Sequence, residues 1–320
     1  MSAHSKTPLQ ESGTGADVEP ALDIGALLRR LATWVSRSLP HFRGKERAVR
    51  AFEAWLRHVA PPTGSLPLTV GGVCYALQLD DLIDYRIAYL GGHDRAVTGY
   101  LGRVVSGRSV VLWDVGANVG AIALPLAYRH PGLLIEAFEP SPPVVSRLRR
   151  NLTLNPALAA RIRLHEIALC DRVGVVDFFP SAESRNGGLG NLMLSANTEK
   201  TPVRVSAHTG DALIAADKAR APDVVKIDVE GFEYEVLRGL HGFLTRRRDA
   251  IVVCEHEPYR LHQRPEAPAV TELLGDLGFT LHALTKSGML EPLRPGMLEH
   301  RLDIVAHGPA LAPMMGEPRR

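Results

Sequence analysis

Four stretches of this chain set acidic side chains at the point where an apolar run ends and a helical pattern begins. Asp114 closes the run in "VVLWDVGANVG" (110–120), ahead of Gly116, Asn118 and Gly120, and Glu139 follows the next run in "IEAFEPSP" (135–142). Asp228 and Glu230 stand beside Lys226 in "VVKIDVEGFEYEVLRG" (224–239), and "IVVCEHEPY" (251–259) finishes on Glu255, His256 and Glu257. Ligands of an open α/β sheet bind beyond the carboxyl ends of its strands, so on such a sheet these groups would face one crevice.

Each residue type brings a definite chemistry. Gly116 and Gly120 let the backbone turn tightly and approach a ligand, and the N–H groups opening the next helix favour a carboxylate. Asp114 supplies the opposite sign, so a ligand with both an ammonium and a carboxylate fits, and the methionyl end of S-adenosylmethionine is one. Glu139 is placed to accept hydrogen bonds from both hydroxyls of a ribose. A nicotinamide dinucleotide carries a ribose too, but its G-x-G-x-x-G fingerprint wants a glycine where this chain has Asn118. The sulfonium cofactor is therefore favoured; an NAD(P)-dependent oxidoreductase and a non-catalytic binding module retaining the fold are the alternatives. Asp228 and His256 are candidates for a general base, with Glu255 orienting the histidine or the substrate. Plain helix capping by Asp228 or Glu230, with Lys226 as ion-pair partner, is the structural reading of the same run.

Periodicity predicts the elements that carry these groups. Strands are expected over 109–115, 133–138, 161–168, 223–229, 250–255, 279–284 and 301–307, and helices over 118–129, 141–154, 209–217, 232–247 and 266–277. That alternation means an α/β fold: a Rossmann-like, mostly parallel, doubly wound sheet, its last two strands pairing as an antiparallel edge hairpin. A strand-rich insertion over 173–207 holds Asn186, Gly187, Gly188 and Asn191, and a glycine-rich insertion beside a crevice is a candidate lid. Residues 109–308 form the catalytic-type domain, preceded by a lead-in hairpin and helices over 61–108, in which Tyr85 and Tyr89 are candidate walls of an acceptor pocket or core aromatics. Residues 21–60 read as two amphipathic helices broken around Pro40, a cap or an oligomerisation arm; 1–20 and 309–320 read as disordered tails.

Bulk composition narrows the partners. Lys and Arg number 37 against 35 Asp and Glu, a net charge of +2 that gives no reason to expect nucleic acid, and no run reaches the length of a membrane span. The three cysteines, Cys74, Cys170 and Cys254, are widely spaced and odd in number, as expected of reduced thiols and a cytoplasmic location.

With these residues in view, the chain resembles the FkbM family of S-adenosylmethionine-dependent methyltransferases over roughly residues 75 to 285. The marks are "WDVGANVG", "AFEPSP", "IALCD", "NGGLGNLML", "VKIDVEGFEYEVLRG" and the glutamate of "VCEHEP", with "LDDLIDYRIAYLGG" leading in. The resemblance implies a class I methyltransferase fold with Asp114, Gly116, Asn118, Gly120, Glu139, Pro140 and Ala168 around the cofactor. It also implies an aliphatic hydroxyl as acceptor, on a sugar, glycan, lipid or secondary metabolite; by their places in the sequence, Asn186, Gly187, Glu230 and Tyr85 are the candidates toward that substrate. A protonated hydroxyl needs a base, or a divalent cation such as magnesium held by Asp228 and Glu255. Two departures stand out: Gly-Leu-Gly-Asn replaces a commonly serine-rich stretch in the insertion, and the first 60 residues have no counterpart.

Overall fold

The computed structural model describes residues 23–40, 42, 44–62, 64–178, 202–258 and 269–311. The chain enters through two helices, α1 (Ile24–Ser38) and α2 (Lys45–Val59), then a hairpin of β1 (Leu66–Val70) and β2 (Val73–Leu77), whose Gly71 and Gly72 turn at positive φ. Helices α3 (Leu82–Leu90) and α4 (Arg95–Val105) lead into the alternating part. It runs β3 (Val110–Val115), α5 (Ala123–Arg129), β4 (Leu133–Phe138), α6 (Pro142–Thr153), α7 (Pro156–Ala159), β5 (Ile162–His165), β6 (Ala168–Leu169), β7 (Gly174–Phe178) and β8 (Val203–His208). Then follow α8 (Gly210–Ala215), β9 (Val224–Ile227), α9 (Glu233–Gly239), α10 (His241–Arg246), β10 (Ile251–His256), α11 (Val270–Asp276), β11 (Thr280–Leu284), β12 (Leu290–Pro292) and β13 (Leu302–His307).

Eight strands form one sheet in the order β12-β11-β13-β10-β9-β3-β4-β5, and β6-β8-β7 make a small separate sheet. From β5 to β10 neighbouring strands are parallel, while β13 lies antiparallel between β10 and β11. The architecture is thus a Rossmann-like α/β sheet with an antiparallel end, as its alternating pattern predicts. Strand order reverses between β3 and β9, which opens a crevice at their carboxyl ends. Along β3, Leu112 packs into one apolar core while Trp113 and Val115 pack into another, so both faces are covered and the strand can be apolar throughout.

Several boundaries differ from the periodic reading for identifiable reasons. The helix expected over 118–129 begins only at Ala123, because Asn118 (φ 51°) and Gly120 (φ 86°) take left-handed backbone and spread a turn before it. The expected helix 232–247 divides at Leu240, and the strand expected over 161–168 divides into β5 and β6, which joins the small sheet. Inside the insertion, β7 and β8 pair antiparallel; Asn186, Gly187, Gly188 and Asn191 lie outside the described residues, as do 1–20 and 312–320 of the two expected tails.

The two leading helices form as their periodicity requires, but with an unexpected face inward. On α1 the buried residues are Gly25, Arg29, Thr33 and Ser36; on α2 they are Lys45, Glu53 and Leu56. Arg29 Nε meets Glu53 Oε1 at 3.2 Å, Ser36 Oγ donates to the Tyr89 carbonyl at 2.7 Å, and Tyr89 OH donates to Glu53 Oε2 at 2.5 Å. Hydrogen bonding to the body therefore selects a mainly polar stripe, joined by Leu56, and the α1 leucines, Trp34 and Trp55 point away. Of the two readings open for Tyr85 and Tyr89, pocket walls or core aromatics, the structure takes the second. Both are buried core aromatics, their ring centroids 5.0 Å apart, and neither lines the crevice. Among the described residues no helix is long and apolar enough to cross a membrane.

Candidate functional site

The crevice at the switch point encloses about 1320 Å³ of non-atom space, the open solvent at its mouth included. Its walls include Gly116, Ala117, Asn118, Glu139, Pro140 and Ala168 on one side and Lys226, Asp228, Glu230 and Arg301 on another. Ile167, Leu169, Phe138 and Phe178 contribute an apolar lining.

Glu139 is only 6% exposed, and its carboxylate accepts the N–H of Asn118 at 3.0 Å and of Ser141 at 2.9 Å. Burial pushes its pKa up to about 7 against the pull of those two donors. Each oxygen keeps a lone pair for a further donor.

The turn after β3 is used differently from the sequence reading. Gly116 and Ala117 N–H both bond the Phe138 carbonyl at 3.0 Å, Val119 N–H bonds Asn118 Oδ1 at 2.8 Å, and Gly120 N–H bonds the Ala117 carbonyl at 2.9 Å. With Asn118 N–H held by Glu139, the N–H groups of 116–120 are engaged inside the protein rather than offered to a ligand carboxylate. Gly116 is required for a different reason: at φ 77° a Cβ would lie 1.9 Å from the Asp228 carbonyl oxygen. Gly120 does not line the crevice, and its missing Cβ makes room for Leu124 and Leu148.

Asp114 also needs correction as a charge facing a ligand. It is fully buried, absent from the crevice wall, and directly opposite Lys226 in the β3–β9 register. Lys226 Nζ lies 3.1 Å from Asp114 Oδ1, 3.2 Å from the Gly116 carbonyl and 3.8 Å from Asp228 Oδ2. Burial pulls the Lys226 pKa down, but the charges of Asp114 and Asp228 outweigh it and hold the ammonium well above its usual range. One buried cation thus ties the turn after β3 to the acidic side of the crevice.

That side holds more acids than the motif predicted. Asp228, Glu230 and Glu255 bring carboxylate oxygens within 4.8 Å of one another, with Glu230 at φ 59°. Glu233 fixes the turn by accepting the Val229 and Gly231 N–H groups, each at 3.1 Å. Glu255 lies opposite Asp303 in the β10–β13 register and forms an ion pair with Arg301. Burial, then the charge of Asp228, raises the Glu255 pKa to about 10 against the pull of Arg301. Asp303 rises to about 7 from burial and from the charges of Asp94 and Asp228. His256 is not brought into this group: its Nε2 lies 2.9 Å from the Leu298 carbonyl, and the residue does not line the crevice.

A different histidine does line it. His93 Nε2 contacts Asp94 Oδ2 at 3.0 Å, and Asp94, at the start of α4, takes a left-handed φ of 41°. Burial works against the Asp94 carboxylate, yet its hydrogen bond and charge contact with His93, reinforced by Lys226 and Arg301, hold it down to about 2. His93, Asp94, Arg301 and Asp303 were missed by motif reading. "LGGHD" offered a local cue, two glycines before a His-Asp pair, whereas Arg301 and Asp303 reach the site only through the antiparallel return of β13.

Fold and crevice together define a Rossmann-like α/β protein with a ligand cleft at its strand switch point. Residues 114–281, over half of the chain, match the family model described as "Methyltransferase FkbM domain", and the chain belongs to that family. It is 31% identical over 166 residues to the hexuronic acid methyltransferase AglP of Haloferax volcanii, covering 52% of this chain and 62% of that protein. It is 27% identical over 165 residues to the 2-O-methyltransferase NoeI of Sinorhizobium fredii, covering 48% and 65%. A 79-residue match at 35% identity links it to the 31-O-demethyl-FK506 methyltransferase FkbM of Streptomyces tacrolimicus, covering 24% and 29%. The matches to AglP and NoeI span less than two thirds of those proteins' lengths. Among solved structures, the methyltransferase FkbM from Methylobacillus flagellatus KT is similar at 15% identity and TM-score 0.37, covering 62% of this chain and 44% of that one.

Proposed function

We propose that this protein transfers a methyl group from S-adenosylmethionine to a hydroxyl of a small polar acceptor, a sugar or glycan first and a lipid or secondary metabolite next. The observation that carries the reading is the crevice with a ribose-type acid, Glu139, at one end and Asp228 with its carboxylate neighbours at the other. Family membership supports it, and the named sugar and metabolite methyltransferases among the relatives support the acceptor class.

When bound, the cofactor supplies an electrophilic methyl on a positively charged sulfur. Glu139 would accept the ribose hydroxyls on the lone pairs that Asn118 and Ser141 leave open, and the apolar wall of Phe138, Ile167, Leu169 and Phe178 would take the flat base. Asp228, its side chain 24% exposed and lining the crevice, would accept the hydrogen of the acceptor hydroxyl and take up its proton as the oxygen bonds the methyl carbon and the carbon–sulfur bond breaks, its electron pair leaving with the sulfur. The Lys226 ammonium beside Asp228 and the Arg301 guanidinium paired with Glu255 offset the negative charge gathered around the base. Holding the oxygen about 3 Å from the methyl carbon, in line with the leaving sulfur, is the larger part of the rate.

A divalent cation among Asp228, Glu230 and Glu255 is the second reading, favoured by their mutual 4.8 Å spacing. Lys226 and Arg301 already neutralise part of that charge, which favours the metal-free base. Methyl transfer from isotope-labelled S-adenosylmethionine across a panel of hexuronic acids, neutral sugars and polyketide alcohols tests the function. Labelled product on a hydroxyl supports it; cofactor binding without transfer across the panel contradicts the catalytic reading.

A further inference from the structure

The helical hairpin at the start of the chain is built with its apolar side outward. Ile24, Leu27, Leu28, Leu31, Trp34 and Val35 of α1 are 40–64% exposed, and so are Phe52, Trp55 and Val59 of α2, with Phe52 and Trp55 in ring contact at 5.8 Å. At a hundred degrees per residue, the α1 set spans a single arc opposite the buried stripe of Gly25, Arg29, Thr33 and Ser36. Counting Leu39 and Phe42, both about half exposed, these side chains leave on the order of 1,000 Å² of apolar surface, since large side chains bury roughly 150–250 Å² each. The largest apolar patch of an ordinary monomer is about 300–600 Å², and a standard interface takes about 800 Å² from each partner.

We propose that this face binds a second copy of the chain, the two hairpins packing helix on helix about a two-fold axis. Three observations select that occupant. The area matches what one partner contributes to a stable dimer. The spacing on α1, Ile24-Leu27-Leu28-Leu31-Trp34-Val35, is the a, d, e pattern of two heptads, which a facing helix fills with side chains in holes. Arg29–Glu53 and Lys45 Nζ donating to the Leu39 carbonyl at 2.8 Å join the two helices, and Ser36 Oγ on the Tyr89 carbonyl with Tyr89 OH on Glu53 ties them to α3, so the hairpin is held in place. Burying like faces against each other is the isologous arrangement of a C2 dimer. No residue of α1 or α2 lines the crevice.

Mass measurement by light scattering and sedimentation on the full chain tests this. From about 1 to 100 µM, the range in which such an interface holds, wild type is expected at twice the 34.8 kDa chain mass. The Trp34→Glu/Trp55→Glu variant is expected as a monomer, with an unchanged circular dichroism spectrum and unchanged S-adenosylhomocysteine affinity. A Leu31→Ala/Phe52→Ala variant, milder in charge, should raise the dimer dissociation constant at least tenfold. Monomeric wild type throughout, or a Glu variant that folds and stays dimeric, would overturn the assignment. So would flotation of monomeric wild type with phosphatidylglycerol-phosphatidylcholine vesicles that the Glu variant lacks, because the face would then belong to a membrane surface.

Discussion

Replacing Lys226 with methionine isolates the contact that joins both halves of the site. The change keeps the buried stem and removes the ammonium from Asp114, the Gly116 carbonyl and Asp228. Asp114 is fully buried, so it is left as a desolvated carboxylate with its cation gone, a loss of about 3–5 kcal/mol. For a chain of this size that is a fall in melting temperature of roughly 4–8 °C. Protonating the orphaned carboxyl relieves part of the loss, so the deficit should be larger at pH 8 than at pH 5.5. Thermal unfolding followed by circular dichroism at both values measures it. Adding Asp114→Asn to Lys226→Met removes the orphaned charge and should recover more than half of the deficit. A single variant within about 1 kcal/mol of wild type, or a double variant no better than the single, would refute the assignment of Lys226 as the charge that makes Asp114 tolerable.

Glu139→Gln should weaken S-adenosylhomocysteine binding by on the order of 100-fold in calorimetry, the loss of charge-assisted hydrogen bonds at about 1.5–3 kcal/mol each. The same variant has a signature without ligand: because the Glu139 pKa is raised to about 7 in the fold, its contribution to stability is full below about 4.5 and is lost as pH rises through about 7. Wild type should therefore lose more stability than the variant between pH 4.5 and 8, and equal losses would count against a buried Glu139. Gly116→Ala drives a Cβ into the Asp228 carbonyl and should cost at least about 3 kcal/mol, seen as lost soluble yield or melting temperature. Asp228→Asn should lower kcat by at least about 100-fold while the cofactor dissociation constant stays within a few fold. Chelator treatment should leave wild-type turnover unchanged, and a loss restored by magnesium would favour the cation reading.

How far the fold was legible follows from what each signal measures. Strand β4 matches its apolar run residue for residue and β3 and β9 nearly so, because a strand buried on both faces has no other way to be written. Glu139 and Asp228 were found because each lies at the end of such a run. Asp114 was located but misread: its cross-strand partner Lys226 is over 100 residues away, and which of two acids faces a crevice depends on register, which no local pattern carries. The same holds for Arg301 and Asp303, delivered by a strand that returns antiparallel between two others. The helical period of α1 was plain, whereas the side that packs inward depended on Glu53 and Tyr89, and so ran against hydropathy.

The most direct test of the account is a crystal structure with S-adenosylhomocysteine bound. The ribose hydroxyls are expected within hydrogen-bond reach of the Glu139 carboxylate, the base against Phe138 and Leu169, and the sulfur turned toward Asp228. A nucleoside seated elsewhere, or a crevice left empty at saturating ligand, would contradict the claim that this switch-point cleft is the methyl-transfer site.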